Sequence, residues 1–317
     1  MFYKKTLGLF LLIFTSFSFL TGESESNHFE FSADFNGTYD FESDYISSED
    51  ESHYAPITGP YSTIEAALSL NASYIIPKAK TNLTFSFQIT PLSLMPSVSA
   101  KYTPFPFLVL GAGLMGGSGW NLGSIKGFAE YDAESASYED LTFMRHFYYQ
   151  AYANAILQMD TGYIFPGPWN HVVALFCYRV LYAGLTGTED KAIWNWQSTG
   201  LQADGLQEYI QAVLAYQMPL LIKRAGIMFE MKGHYSSDDY DERFADFDGD
   251  FRSIRISPLL QAEWGTRKEH SLALLFCFYS RRSFLEEHTK GEQEPFLTCT
   301  GREWFFERIA FSYSYSF

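Results

Sequence analysis

From about residue 28 to the end of the chain, apolar and polar residues alternate with a period of two, not 3.6. That is the spacing of β-strands, whose successive side chains project to opposite faces. The last segment shows it best. Phe311, Tyr313, Tyr315 and Phe317 fall on one face, with Ala310, Ser312, Ser314 and Ser316 on the other. The same rhythm runs through Phe29, Phe31 and Phe35 against Glu30, Ser32, Asp34 and Asn36. It recurs in Leu83, Phe85, Phe87 and Ile89 against Thr84, Ser86, Gln88 and Thr90. Further along, Tyr149, Ala151, Ala153, Ala155 and Leu157 alternate with Tyr148, Gln150, Tyr152, Asn154 and Gln158. Ile227, Phe229 and Met231 oppose Met228, Glu230, Lys232 and His234, while Ile254, Ile256, Leu260 and Trp264 oppose Ser253, Arg255, Ser257, Gln261 and Glu263. Leu272, Leu274, Phe276 and Phe278 oppose Ser271, Ala273, Cys277 and Arg281.

A soluble sandwich would show such strands once or twice, and would need a second apolar layer to cover them. The mature chain repeats them throughout, and no amphipathic helix is long enough to supply that layer. A closed antiparallel up-and-down barrel in lipid turns its apolar faces outward and leaves no unpaired edge. The predicted fold is therefore an all-β transmembrane barrel.

Turn residues separate two kinds of connection. Short ones fall at 76–81, 103–106, 166–170, 219–225 and 265–269; long ones span 41–62, 117–140, 185–206, 237–251 and 284–301, with a brief link at 91–96. Their alternation gives about twelve strands, with ten to fourteen compatible, and puts both chain ends on the short-turn side. Short turns face the periplasm in such barrels and long loops face outward. Charge agrees: Lys78, Lys80, Lys101, Lys223, Arg224, Arg267 and Lys268 lie at or near short turns. Asp238, Asp239, Asp241, Glu242, Asp246, Asp248 and Asp250 crowd one long loop. Pro91, Pro96 and Pro258 predict a bulge or local break, since proline donates nothing to a ladder.

Composition sharpens this. Aromatics reach 18% and the net charge is -15, which argues against a nucleic-acid partner. Tyr74, Trp169, Tyr216, Trp264 and Tyr315 sit near short turns, where amphipathic rings meet lipid headgroups. Lys4 and Lys5 followed by the apolar run Leu7–Leu20 read as a secretory signal over residues 1–22, cut between 22 and 27, ahead of a barrel over 28–317. Cys177, Cys277 and Cys299 are an odd number, so at least one is free or pairs between chains.

The closing strand, Phe311, Tyr313, Tyr315 and Phe317, resembles the C-terminal assembly signal of bacterial outer-membrane β-barrels. The motif covers only this strand, although the pattern covers the mature chain. The resemblance implies export, contact with the outer-membrane assembly machinery, and insertion as a multi-pass barrel in the outer-membrane lipid of a diderm bacterium. It selects no family within that class.

Inward positions supply the candidate chemistry. Asp160, Arg179, Glu230, Lys232, Arg255, Glu263, Arg281 and Arg308 bring both signs to the lumen, and Tyr148 and Tyr152 add stacking surfaces. Such a lining can select polar small solutes by charge, with Arg179, Arg255, Arg281 and Arg308 set against Asp160, Glu230 and Glu263. It can equally pair internally and fill the barrel. Gly111 and Gly113, facing inward, thin the wall and favour an open volume. A channel or transporter is the leading expectation. The alternative is a surface protein whose acidic loops bind host or matrix ligands.

Catalysis is not expected. His234 and Ser236 have the H-x-S spacing of an outer-membrane phospholipase, but alternation turns both inward, and the Asn-Gly that follows that family's serine is missing. Asp246, Asp248 and Asp250 resemble part of a calcium loop with its glycine misplaced, so solvated charge is preferred to a weak divalent site. No cofactor is implied.

Overall fold

A computed structural model describes residues 26–42, 47–48, 61–122, 127–132, 137–196, 201–265, 269–285 and 294–316. The expected signal segment, most of the long connection 41–62, Arg267, Lys268 and Phe317 lie outside them. The strands are β1 (His28–Glu42), β2 (Ser47–Ser48), β3 (Tyr61–Ile76), β4 (Thr81–Thr90), β5 (Ser93–Phe105), β6 (Leu108–Gly119), β7 (Phe128–Asp132) and β8 (Ser137–Asp140). They continue with β9 (Tyr148–Asp160), β10 (His171–Leu185), β11 (Ile193–Trp196), β12 (Gly205–Gln217), β13 (Ile222–His234), β14 (Ser253–Trp264), β15 (His270–Phe284) and β16 (Cys299–Ser316).

Twelve long strands, β1, β3–β6, β9, β10 and β12–β16, pair antiparallel in chain order, and β1 closes the barrel on β16. Ser32 opposite Ser316 and Asp40 opposite Arg308 bound that closing ladder. Alternation is the reason for the outcome. Each strand offers one apolar face, and closure turns all of those faces outward. Phe85 is 55% exposed and Leu114 59%, and Phe31, Leu70, Val98, Leu157, Phe176, Leu214 and Ile227 share that exposure around the wall. An apolar belt of this extent belongs in lipid, because water would leave it uncovered.

The long connections fall at one end, together with the two-residue link Pro91–Leu92, and the other short connections fall at the opposite end, as the turn residues predicted. At the short end, rings gather at the rim. Phe29 packs on Tyr74 with centroids 4.7 Å apart, Phe105 stacks on Phe107 at 5.4 Å, and Trp264 stacks on His270 at 5.4 Å.

The prolines break ladders without shifting them. Pro96 pairs with Phe87, but its other side is unpaired between Leu94–Ser118 and Ser97–Met115. Pro258 pairs with Ile227 and interrupts the ladder between Ile256–Phe278 and Leu259–Leu275. Register shifts fall elsewhere. The important one puts Cys277 opposite Arg308 and Phe278 opposite Phe306, leaving Glu307 as the extra residue of a bulge.

The described parts of the long connections gather at one end of the barrel. Strands β11, β7 and β8 form a separate small sheet, and Trp194 bridges to Gln202. Phe128, Trp194 and Trp196 are buried with Met95, Met115, Tyr148, Leu181 and Leu185 of the barrel wall. A second cluster joins Tyr131 and Ile193 to Tyr240, Phe244 and Phe247 of the acidic loop, and to Phe284 and Leu297. The acidic loop was expected to be solvated charge. It carries its acids on one side and drives three aromatic rings into the cap with the other.

Candidate functional site: the barrel interior

The inner wall has two unlike halves. Along β1 and β3–β5 many of the inward side chains are short: Ser32, Asp34, Asn71, Ser73, Thr84, Ser86, Ser97 and Ser99, all only partly buried. They form a polar ladder. Asn71 donates to Asp34 at 2.6 Å and to Ser32 at 3.2 Å, Ser86 donates to Asn71 at 2.6 Å, and the hydroxyls of Ser73 and Thr84 meet at 2.9 Å. The hydroxyl of Ser314 on β16 donates to Asp34. These groups keep part of their surface accessible and carry small side chains.

Along β10 and β12–β16 the inner wall is packed. Met228, Leu259, Leu275, Cys277 and Ala310 make one apolar cluster there, and Ile156, Leu175 and Cys177 another. The interior is therefore apolar in part, with Met228 and Cys277 on the faces that alternation placed inward. Cys177, Cys277 and Cys299 are all free thiols, the first two buried.

Between these clusters lies an ion-pair network. Arg255 donates to both carboxylate oxygens of Glu307, at 2.7 and 2.9 Å, and lies 3.8 Å from Glu230. Arg308 donates to Glu307, and the Tyr209 hydroxyl donates to Glu230. Arg281 pairs with Glu303 and lies over the Phe305 ring, 4.5 Å from its centroid. Arg308 is 1% exposed and Glu303 0%. This changes the selectivity expected of the lumen. Arg255, Arg281 and Arg308 are matched at contact by carboxylates, so they are structural cross-links and not free solute contacts. A charge reversal at Arg255 or Glu230 would break this network instead of retuning a pore.

Glu307 is the residue that alternation missed. With Arg308 facing inward, its neighbour should face lipid. The bulge turns both inward, so one carboxylate serves two guanidinium groups. Glu303 follows from the same phase change. The signal in the sequence is a charged pair, Glu307–Arg308, where a membrane-facing residue was due.

The remaining cations differ. Lys101, Arg179 and Lys232 face inward with no carboxylate at ion-pair distance among the described residues. Arg179 is 7% exposed, its Nε finds no hydrogen-bond partner, and its guanidinium lies between two rings, 4.6 Å from Tyr152 and 5.5 Å from Tyr209. The thin wall expected at Gly111 and Gly113 is filled. The Tyr152 ring lies over Gly113 and the Asn154 amide over Gly111, where even a methyl group would collide.

Tyr148 is no solute contact. Its ring stacks on Trp196 at 5.0 Å and belongs to the cap. Asp160 accepts from His171 at 2.8 Å and from the Gly162 amide at 2.8 Å, which fixes a short turn. Glu263 lies at the same end, accepting from Gln261 at 3.4 Å. Neither stands against the central arginines. Phe311 packs on Phe35 at 5.9 Å across the closing seam, and Tyr313 and Tyr315 flank His270.

His234 does face inward, as expected, but its ring nitrogens contact Asp239 at 2.8 Å and Gln207 at 3.1 Å. Ser236 instead accepts from the Asp238 amide at 3.1 Å, so no His–Ser hydrogen bond forms. In the acidic loop, Arg243 holds the Asp241 carboxyl below its ordinary range, whereas burial pushes Asp248 up, aided by Asp250. The Asp248 carbonyl accepts from Arg282 at 2.9 Å, and no group of three acidic, histidine or cysteine side chains gathers around a metal-sized space among the described residues. A depression of about 500 Å³ lies on the lipid-facing wall, floored by Ala100, Ala112, Ala151 and Ala153, and is not part of the lumen.

No family model matches the chain, and no curated protein does. Among solved structures it is similar to a Pseudomonas aeruginosa FadL homologue, at 9% identity over 92% of this chain and 90% of that one, with a TM-score of 0.33. It is also similar to the outer membrane channel DcaP of Acinetobacter baumannii, at 9% identity over 92% and 97%, with a TM-score of 0.31. A third is OccAB4 of Acinetobacter baumannii, at 8% identity over 93% and 100%, with a TM-score of 0.33. At these values no residue or role is carried over from them.

Proposed function

We propose that this barrel is an outer-membrane channel that passes polar small solutes down their gradients. The observation behind it is the asymmetry of the inner wall. A ladder of partly exposed hydroxyl and amide groups on β1 and β3–β5 faces a buried, ion-paired wall on β10 and β12–β16. The packed half makes the barrel rigid, and the small-residue half leaves an off-centre lane for water and solute. The aromatic cap narrows the outer mouth of that lane. Phe311, Tyr313, Tyr315 and Phe317 serve as the strand read by the assembly machinery.

Planar-bilayer recording of the purified full-length protein tests this. Discrete openings of small conductance are expected. A folded barrel that stays silent, and stays silent when the cap is loosened, would remove the channel reading and leave an anchor for the acidic loops.

A further inference from the structure

The turns at the short end divide the rim of the barrel into two unlike halves. The turn between β3 and β4 carries Lys78 and Lys80, both exposed, and the sequence between β14 and β15 holds Arg267, Lys268 and Glu269. The three turns between them, over residues 103–108, 161–170 and 218–222, hold no charged residue. Their apolar side chains stand away from the barrel. Ile164 is 65% exposed, Tyr163 64%, Leu221 63% and Phe165 61%, and Phe105, Phe107 and Leu220 each exceed half. Of the charges that flank these turns, Asp160 and Arg224 are buried, and Lys101 and Lys223 are partly buried.

Surface of this kind needs a cover, and the wall above it is the guide. Leu110, Leu157, Met159, Val172 and Leu214, exposed on the lipid-facing side of the same strands, run down to these turns. The backbone is also fitted to a medium without water. Pro104, Pro106, Pro166, Pro168 and Pro219 have no N–H to satisfy. The Phe107 and Pro106 carbonyls accept from the backbone and side-chain amides of Gln158, at 2.9 and 2.8 Å. The Thr161 carbonyl accepts from the Ile164 and Phe165 amides, at 2.9 and 2.8 Å. That of Trp169 accepts from the Tyr216 hydroxyl at 2.6 Å, and that of Leu221 from the Glu263 amide at 3.1 Å. Water would supply partners to an exposed turn, whereas hydrocarbon makes an unpaired group costly. Lys80 reaches the Pro104 carbonyl at 3.1 Å, which marks the edge of the apolar sector.

Shape then selects the cover. The sector spans β5, β6, β9, β10, β12 and β13, half of the twelve-strand circumference. Two convex barrels touch along a narrow line, so one neighbouring copy would leave most of that arc bare. Acyl chains follow it throughout.

We infer that these three turns lie in the acyl region of the leaflet at the short end, the membrane boundary passing beyond them on this half and stopping short of Lys78 on the other. The partner is bilayer lipid, and the amphipathic rings of Tyr163 and Trp169 suit its headgroup margin. The inference holds whether or not the lumen conducts.

Spin labels on the full barrel in phosphatidylcholine vesicles test it. In a Cys299→Ser background a nitroxide is attached at Ile164→Cys, Leu221→Cys or Lys78→Cys, with Val98→Cys on the wall as the lipid reference. Cys177 and Cys277 are buried and stay unlabelled. Collisions with oxygen, which concentrates among acyl chains, are compared with collisions with a water-soluble nickel chelate. The oxygen-to-chelate ratio at positions 164 and 221 should match that at 98 and exceed that at 78 by about tenfold. Phe165→Cys and Leu220→Cys serve if either turn variant fails to fold, judged by the gel mobility of the unheated barrel. A ratio at 164 and 221 equal to that at 78 would put the turns in water and overturn the inference. Few collisions with either reagent would mean that protein covers them, and would overturn it equally.

Discussion

Replacing Glu307 by alanine should cost the barrel about 3–5 kcal/mol. The carboxylate is buried and accepts from Arg255 through two oxygens and from Arg308 through one of them. Without it, two guanidinium groups in the wall lose the carboxylate they share. Arg255 keeps the longer 3.8 Å approach to Glu230. Burying a charge without its partner costs far more than the pair contributes when intact. Glu307→Gln keeps the shape and one acceptor, so it should lose roughly half as much. The exposed pair Arg243–Asp241, at 2.9 Å, is the contrast: Arg243→Ala should change stability by less than about 1 kcal/mol, because water and salt screen it. Urea unfolding in lipid vesicles, followed by tryptophan fluorescence, orders the three variants. Equal losses for Glu307→Ala and Arg243→Ala would show that the network contributes nothing special.

Removing Trp196 should act on passage and not on the barrel. Its ring is fully buried, stacks on Tyr148 with planes 8° apart, and meets the edge of Phe128 at 5.3 Å. Truncating such a ring costs about 3–5 kcal/mol. The cap is a small unit that rests on the wall in part through these contacts, so the loss should appear as local opening. The twelve-strand ladder has its own hydrogen bonds and should keep its melting temperature. We therefore expect Trp196→Ala to raise single-channel conductance or open time several-fold. Trp194→Ala should add to it, since the Trp194 indole also donates to Asp204 at 2.8 Å. Unchanged conductance in a folded double variant would mean that the cap does not lie across the permeation path.

The barrel was legible because one physical rule governs it. A strand with lipid on one side and a polar interior on the other must alternate, and this chain alternates nearly throughout. Turn residues then separated short from long connections, which sufficed for the strand count. What alternation could not supply is pairing. Arg281 and Glu303 are opposed only because β15 and β16 take one register, and Arg255 reaches Glu307 from the next strand over. The inward charges were therefore visible, while their neutralisation was not. Glu307 was lost for a sharper reason: a single extra residue reverses the phase of everything before it in β16. The cap was hidden differently. Its aromatic residues stand in loops whose composition reads as acidic, and only long-range packing gathers Phe128, Trp196, Phe244 and Phe247 above the wall.

The seam between β1 and β16 carries a consequence for the order in which the protein is made and folded. Asp34 and Ser314, bonded across it, are 280 positions apart in the chain. Closure is thus the most non-local contact in the molecule, and such contacts form slowly. Until the last strand has left the ribosome, both sheet margins have nothing to pair with. A polypeptide stopped anywhere short of β16 would keep eleven well-formed strands at most and still expose two open edges to lipid or to other chains. Premature termination in this protein should therefore yield not a weaker channel but an aggregating or degraded product, however late in the reading frame it falls.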